Sequence, residues 1–174
     1  NRSISQNYVI GGNMTLGNAV KNGTLTLGGT GDLGVTDRML TIESTVNLSG
    51  AISGAGGLIK AGLANLNLGG TNAYAGPTTI TAGRLSINGD NSAATGTVTV
   101  ESDAILGGNG IVGGAVVVNR GGIIAPGTSA GLLTLNGDLT FASGSFFEWE
   151  IVGDTLASRG VDFDGLDLVG LGNL

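Results

Sequence analysis

Between Gly50 and Gly89 the chain reads GAISGAGGLIKAGLANLNLGGTNAYAGPTTITAGRLSING, and this stretch constrains the fold more than any other. Three short segments alternate apolar with small polar residues: Asn65-Leu66-Asn67-Leu68, Thr78-Thr79-Ile80-Thr81 and Arg84-Leu85-Ser86-Ile87. Alternation marks a strand with one buried face, and the Gly or Asn-Gly that closes each segment marks a turn. The same phrase recurs as Leu25-Thr26-Leu27-Gly28-Gly29, Val46-Asn47-Leu48-Ser49-Gly50, Leu66-Asn67-Leu68-Gly69-Gly70, Leu85-Ser86-Ile87-Asn88-Gly89 and Leu133-Thr134-Leu135-Asn136-Gly137. Weaker copies sit at Met14-Thr15-Leu16-Gly17 and Val98-Thr99-Val100. The first four copies begin at 25, 46, 66 and 85, a drifting period of about twenty, which falls in the solenoid range.

Glycine interrupts every window in which a helical stripe could run, so helical repeats are excluded. An all-β parallel β-helix fits: short strands, Gly and Asn corners, and coils stacked about 4.8 Å apart. The reading is one β-solenoid domain over residues 1–174, with N-terminal coils in 1–49, a central repeat in 50–89 and C-terminal coils in 90–174. Eight or nine coils would make a rod on the order of 40 Å long. Inward positions are Leu25, Leu27, Leu40, Ile42, Val46, Leu48, Leu58, Leu66, Leu68, Ile80, Leu85, Ile87, Val98, Val100, Val116, Val118, Leu133 and Leu135. Thr24, Thr26, Asn47, Asn67, Thr79, Ser86, Thr97, Thr99 and Thr134 form outward polar ladders. The Asn-Gly pairs at 22–23, 88–89, 109–110 and 136–137 suit corners with positive φ.

Composition narrows the function. The 174 residues include 35 glycines but only two prolines, and the glycines have no every-third-residue period, so this is not collagen. Hydrophobic residues make up 41%, too many for a disordered chain, and charged residues only 11%. The net charge of −6, with seven scattered basic residues, gives no electrostatic footprint for nucleic acid. Cysteine and histidine are both absent, which removes disulfides, thiolate metal sites, thiol catalysis and the usual general base. No cofactor is implied. No apolar run reaches the roughly 18 residues that span a bilayer, so membrane insertion is not expected. The opening Asn1-Arg2-Ser3 shows no signal peptide and reads as a piece of a longer exported precursor.

The phrase Gly56-Gly57-Leu58-Ile59-Lys60-Ala61-Gly62, Leu66-Asn67-Leu68, Gly70-Thr71-Asn72-Ala73-Tyr74-Ala75-Gly76, Thr78-Thr79 and Gly83-Arg84-Leu85 resembles the autotransporter-associated β-strand repeat, also described as the passenger-associated transport repeat. It departs from that pattern at Leu63, where glycine is usual, at Asn65 and Ala73, where threonine is usual, and at Pro77. The region from Ile105 to Ile151 looks like the segment that follows such repeats. Its resembling parts are the Pro126-Gly127-Thr128-Ser129-Ala130-Gly131-Leu132 turn and the Gly144-Ser145 opening of a long strand. Asp164-Gly165-Leu166-Asp167-Leu168-Val169-Gly170 resembles the next coil. The resemblance covers about Gly50 to Gly170. It implies a right-handed parallel β-helix, secreted to the bacterial surface, without catalytic residues.

Three groups are candidates for chemistry. Glu148 and Glu150 lie at i and i+2 of a predicted strand, Ser145 to Ile151, close enough for glycoside chemistry. The simpler reading makes them an outward acidic face, with Phe147, Trp149 and Ile151 inward. Asp162, Asp164 and Asp167 surround a glycine turn and offer oxygen ligands for Ca²⁺, although the spacing matches no calcium repeat and another strand is the simpler reading. Phe146, Phe147 and Trp149 suit stacking on sugar rings, although such a cluster more often fills a widened coil or caps the end of the rod. Tyr8 and Tyr74 read as isolated. The glycine string Gly108-Asn109-Gly110-Ile111-Val112-Gly113 carries no nucleotide signal, since no helix follows it.

The expectation is a non-enzymatic structural subunit with no catalytic, cofactor-binding or metal-binding residues. It associates head to tail along the solenoid axis, with Ser3 to Ile10 donated as a strand and Gly160 to Leu174 still reading as strand rather than cap. Open ends that merely continue into a longer polypeptide are the rival to stacking. An adhesin contacting glycans or matrix is the first alternative function and would show grouped aromatics in exposed loops. A polysaccharide-active enzyme is the second and would show a groove of Asp, Arg and Lys.

Overall fold

The computed structural model describes residues 1–20, 23–153 and 158–169. Among them there is no helix, and every pairing between the named strands is parallel. The chain winds through three faces in turn. The first face carries eight strands: Arg2–Ile4, Leu25–Leu27, Val46–Leu48, Leu66–Leu68, Gly83–Ile87, Ala104–Gly108, Ile123–Pro126 and Phe146–Phe147. The second is shorter and split, with Tyr8–Val9, Gly31–Asp32 and Ile52–Ser53 in one sheet and Asp90–Asn91, Ile111–Val112, Leu132–Leu135 and Gly165–Leu168 in another. The third carries seven: Met14–Leu16, Arg38–Ile42, Leu58–Ala61, Thr78–Ile80, Val98–Val100, Val116–Val118 and Leu139–Phe141.

Eight strands on the first face enclose seven full turns, fewer than the eight or nine expected. Measured on the first face, coils are unequal, from 18 residues (Leu106 to Ile124) to 23 (Ile124 to Phe147). A long excursion after Phe147 also uses chain without completing a regular coil. The strong copies of the repeat at Leu25, Val46, Leu66 and Leu85 stack in register on the first face, whereas the copy at Leu133 lies on the second.

Period-two alternation places the core as expected. Leu40, Ile42, Val46, Leu48, Leu58, Leu66, Leu68, Ile80, Leu85, Ile87, Val98, Val100, Val116, Val118, Leu133 and Leu135 are all buried in one continuous column. Leu25 and Leu27 point the same way but are only half-buried, packed against the rim of that column. The outward ladder on the first face is hydrogen-bonded. Asn47 donates to Thr26 (3.5 Å), Asn67 to Asn47 (2.6 Å), Asn65 to Asn67 (3.0 Å) and Ser86 to Asn65 (3.2 Å). Ser86 faces outward yet is fully buried, because Arg84 donates to its hydroxyl and lies over it.

The corners differ from the expectation. Gly89, Gly110 and Gly137, each second in an Asn-Gly pair, do not have positive φ, and Asn22 lies outside the described residues. Positive φ gathers instead where the third face turns into the first, at Gly17, Gly62, Gly83, Asp103, Gly121 and Gly144. At the other two corners glycine is required by space. A Cβ on Gly50, Gly70, Gly89 or Gly110 would meet the carbonyl oxygen of the glycine one coil below it well inside contact distance. Gly76, Gly96, Gly114 and Gly137 form a second column with the same close backbone contact.

Three buried polar residues tie the central coils. Asn72 occupies the gap where the second face has no strand. Its Oδ1 accepts from the Ile52 amide (2.8 Å), while Nδ2 donates to Asn91 Oδ1 (2.7 Å) and to the Gly70 carbonyl (3.2 Å). The side chain thus replaces a missing strand between the two sheets. Tyr74, read as isolated, is fully buried and hydrogen-bonded to Thr78 (2.6 Å). Lys60 takes an inward position between Leu40 and Ile80, and its Nζ donates to the carbonyls of Gly62 (2.5 Å) and Ala82 (2.7 Å) on successive coils.

Burial pushes the Lys60 ammonium down from 10.5 to about 8. Between these values the unfolded chain binds more protons than the folded one, so stability rises with pH across that window; below pH 8 the burial cost is present in full. Urea unfolding at pH 9.5 should show about 1–2 kcal/mol more stability than at pH 7.5, and Lys60→Met should flatten the difference. Above pH 10 the trend should reverse, because burial raises the Tyr8 phenol to about 12 and raises Tyr74 as well.

Candidate functional site

The strand expected from Ser145 to Ile151 is regular only at Phe146–Phe147. The Glu148 amide still bonds to the Ile124 carbonyl (2.8 Å), and then the chain leaves the coil, returning at Gly165–Leu168. Phe147 stacks on the buried Ile124 and so faces inward as expected, although on the last described strand of this face it stays 44% exposed; Phe146 points the other way and is 56% exposed. Trp149 and Ile151, 52% and 53% exposed, do not enter the core. For these two the inward reading fails because a strand needs a neighbour to pair along its length, and beyond Glu148 the preceding coil turns away at Pro126-Gly127.

Asp164 holds the excursion in place. It is buried, and its carboxylate accepts from the Gly131 amide (2.9 Å) and the Glu150 amide (2.9 Å). Its own amide donates to the Glu150 carbonyl (2.8 Å), and its carbonyl accepts from the Trp149 indole N–H (2.6 Å). Outgoing arm, incoming arm and the Gly131 turn are thus joined at one residue. Phe163 meets Trp149 edge to face, with centroids 5.9 Å apart and planes at 68°, a favourable aromatic geometry.

The three aspartates considered for Ca²⁺ have separate tasks. Asp164 bonds to backbone amides, Asp167 pairs with Arg159 at 2.5 Å, and Asp162 accepts from the Ser158 amide (3.2 Å). No group of three or more His, Cys, Asp or Glu that could hold a metal ion occurs among the described residues. Of the expected extra strand, Gly165–Leu168 forms and pairs with Leu132–Leu135, while Asp162 precedes it; residues 170–174 lie outside the described residues.

Arg84 completes the site from two coils away. Its Nε donates to Ser86 Oγ (3.1 Å), and Nη2 donates to the carbonyls of Ala125 (2.8 Å) and Gly127. To arrive there it crosses Gly107, where any Cβ would collide with the guanidinium. Ser86, Gly107 and Ala125 are register partners, so a column of small side chains leaves the channel that the arginine fills. Burial lowers the Arg84 pKa, opposed by the charges of Glu148 and Asp164. The guanidinium, Glu148, Trp149 and Glu150 surround an open cavity of about 370 Å³, walled on one side by Pro126 and Thr128.

The sequence singled out Glu148, Glu150, Trp149 and Asp164 for separate reasons, and the fold brings them to one cavity. Arg84 was missed. Its signal is a column of small residues beside an outward arginine, which is visible only once the coil register is known.

Comparison with known proteins gives two matches. Residues 58–87 match the family model described as Passenger-associated-transport-repeat. Over 86 residues, 49% of this chain, the sequence is 48% identical to the "Adhesin BmaC autotransporter" of Brucella suis biovar 1 (strain 1330). That alignment spans 2% of the relative's length. No solved structure matches the chain. The residues that match the passenger-associated transport repeat, 58–87, are the coils tied by Lys60, Asn72 and Tyr74.

Proposed function

We propose that this chain is a non-enzymatic, adhesive segment of a bacterial surface or secreted passenger. The observation that carries the reading is a group of exposed aromatics, Phe146 and Phe147 on the last described strand of the first face and Trp149 on the excursion that follows it, braced by a rigid solenoid. Exposed aromatics grouped on one surface are characteristic of recognition sites. The transport repeat and the similarity to an adhesin autotransporter support a surface or secreted setting. The absence of histidine and cysteine from the sequence supports a binding role over catalysis.

Beads coated with the chain should adhere to cultured epithelial cells or to a matrix-coated surface. Beads coated with Leu66→Asp, which buries an unpaired charge and unfolds the middle coils, should not. Equal retention of both coatings, or none of the folded protein, would remove the adhesive reading.

Stacking along the axis is the second reading. Favouring it, the outer edge of Arg2–Ile4 is unpaired among the described strands, and Ile4, Val9 and Met14 are exposed around that coil. Sedimentation velocity should then show growth with concentration, reduced by deleting residues 1–10. A monomer at every concentration would eliminate stacking.

A further inference from the structure

We infer that the cavity bounded by Arg84, Glu148, Trp149 and Glu150 binds a neutral sugar ring of a glycan, an assignment that rests on the adhesive reading above. Trp149 supplies the platform. Its indole N–H is committed to the Asp164 carbonyl and Phe163 packs against it edge to face, so the ring is fixed while half its surface stays open. A pyranose presents a face of C–H groups that suits an aromatic plane, and its rim of hydroxyls needs polar partners.

Those partners are present in both senses. A hydroxyl donates and accepts at once. The carboxylates of Glu148 and Glu150 only accept, and both line the cavity. Arg84 only donates; its Nε and Nη2 are used within the protein, which leaves the Nη1 hydrogens without a partner among the described residues. Three hydrogen bonds and the channel over Gly107 hold the guanidinium in place, so binding costs little side-chain entropy.

Charge selects among ligands. One guanidinium stands against three carboxylates, counting Asp164, so sulfated or sialylated glycans are repelled. A basic peptide side chain would use the glutamates but would face the Arg84 cation. A neutral hydroxylated ring satisfies donors and acceptors without either conflict.

Trp149 is the chain's single tryptophan, so its emission reports on this cavity alone. The intact chain is titrated with maltohexaose, cellohexaose and N-acetylchitohexaose, and in parallel with a heparin hexasaccharide and hexalysine. At least one neutral oligosaccharide should give a saturable change in emission. The Glu148→Gln, Glu150→Gln double variant should bind it about ten-fold more weakly with its thermal midpoint unchanged. Silence with every neutral oligosaccharide, or a response only to the heparin hexasaccharide or hexalysine, would overturn the assignment. Bead adhesion separates the two readings. Wild type that adheres but gives no emission change with any neutral oligosaccharide leaves the adhesive reading standing and removes the sugar site. Wild type that gives the emission change but does not adhere keeps the sugar site and removes the adhesive reading.

Discussion

Backbone meets backbone at two corners of every central coil, and only glycine allows it. In the column Gly29, Gly50, Gly70, Gly89 and Gly110, the position a Cβ would occupy is already taken by a main-chain carbonyl of the coil below. This approach lets the flanking strands keep their register over successive coils, so that Val46, Leu66 and Leu85 stack as one apolar line. Parallel ladders gain little from local pairing, and each coil depends on its neighbours for both hydrogen bonds and buried surface. The tight corners are therefore the condition for the core, not an ornament of it.

Where the ladder falters, side chains take over backbone roles. The second face has no strand between Ile52–Ser53 and Asp90–Asn91, and Asn72 spans that gap with its amide group. Lys60 does comparable work at the corner between the third and first faces, joining the carbonyls of Gly62 and Ala82 from inside the core. Both residues lie in the segment 58–87 that matches the transport-repeat model. In that segment the interior is fastened by buried polar groups as well as filled by aliphatic ones. A charge or amide without these carbonyl and amide partners would destabilise the same positions.

The solenoid and its inward residues were legible because alternation in Leu66-Asn67-Leu68 or Val98-Thr99-Val100 fixes which side chain faces in. The long-range features were not. Period two places Lys60 inward, yet nothing local shows that two carbonyls await its ammonium. The role of the Asn-Gly corners was misjudged because the sequence shows a glycine but not whether φ or crowding demands it. Trp149 and Ile151 continue the alternation of a buried strand; what exposes them is the turn at Pro126-Gly127, where the preceding coil withdraws its pairing edge. The site mixes both cases: four of its residues stood out by type, and Arg84 became visible only through the stacking of Ser86, Gly107 and Ala125.

The same rigidity explains why an excursion from this rod can present a defined cavity. Asp164 and Arg84 anchor it to the Gly131 turn and to the Ala125 and Gly127 carbonyls, all set by coil stacking. The most direct measurement of that dependence compares two adjacent glycines by chemical denaturation. Gly70 is crowded by the Gly50 carbonyl, whereas the nearest atom to a Cβ on Gly69 is 3.7 Å away, an ordinary contact. Gly70→Ala should cost about 1–3 kcal/mol of stability, while Gly69→Ala should stay within about 0.5 kcal/mol of wild type. Equal effects at the two positions would contradict the claim that backbone contact at the corners sets the fold.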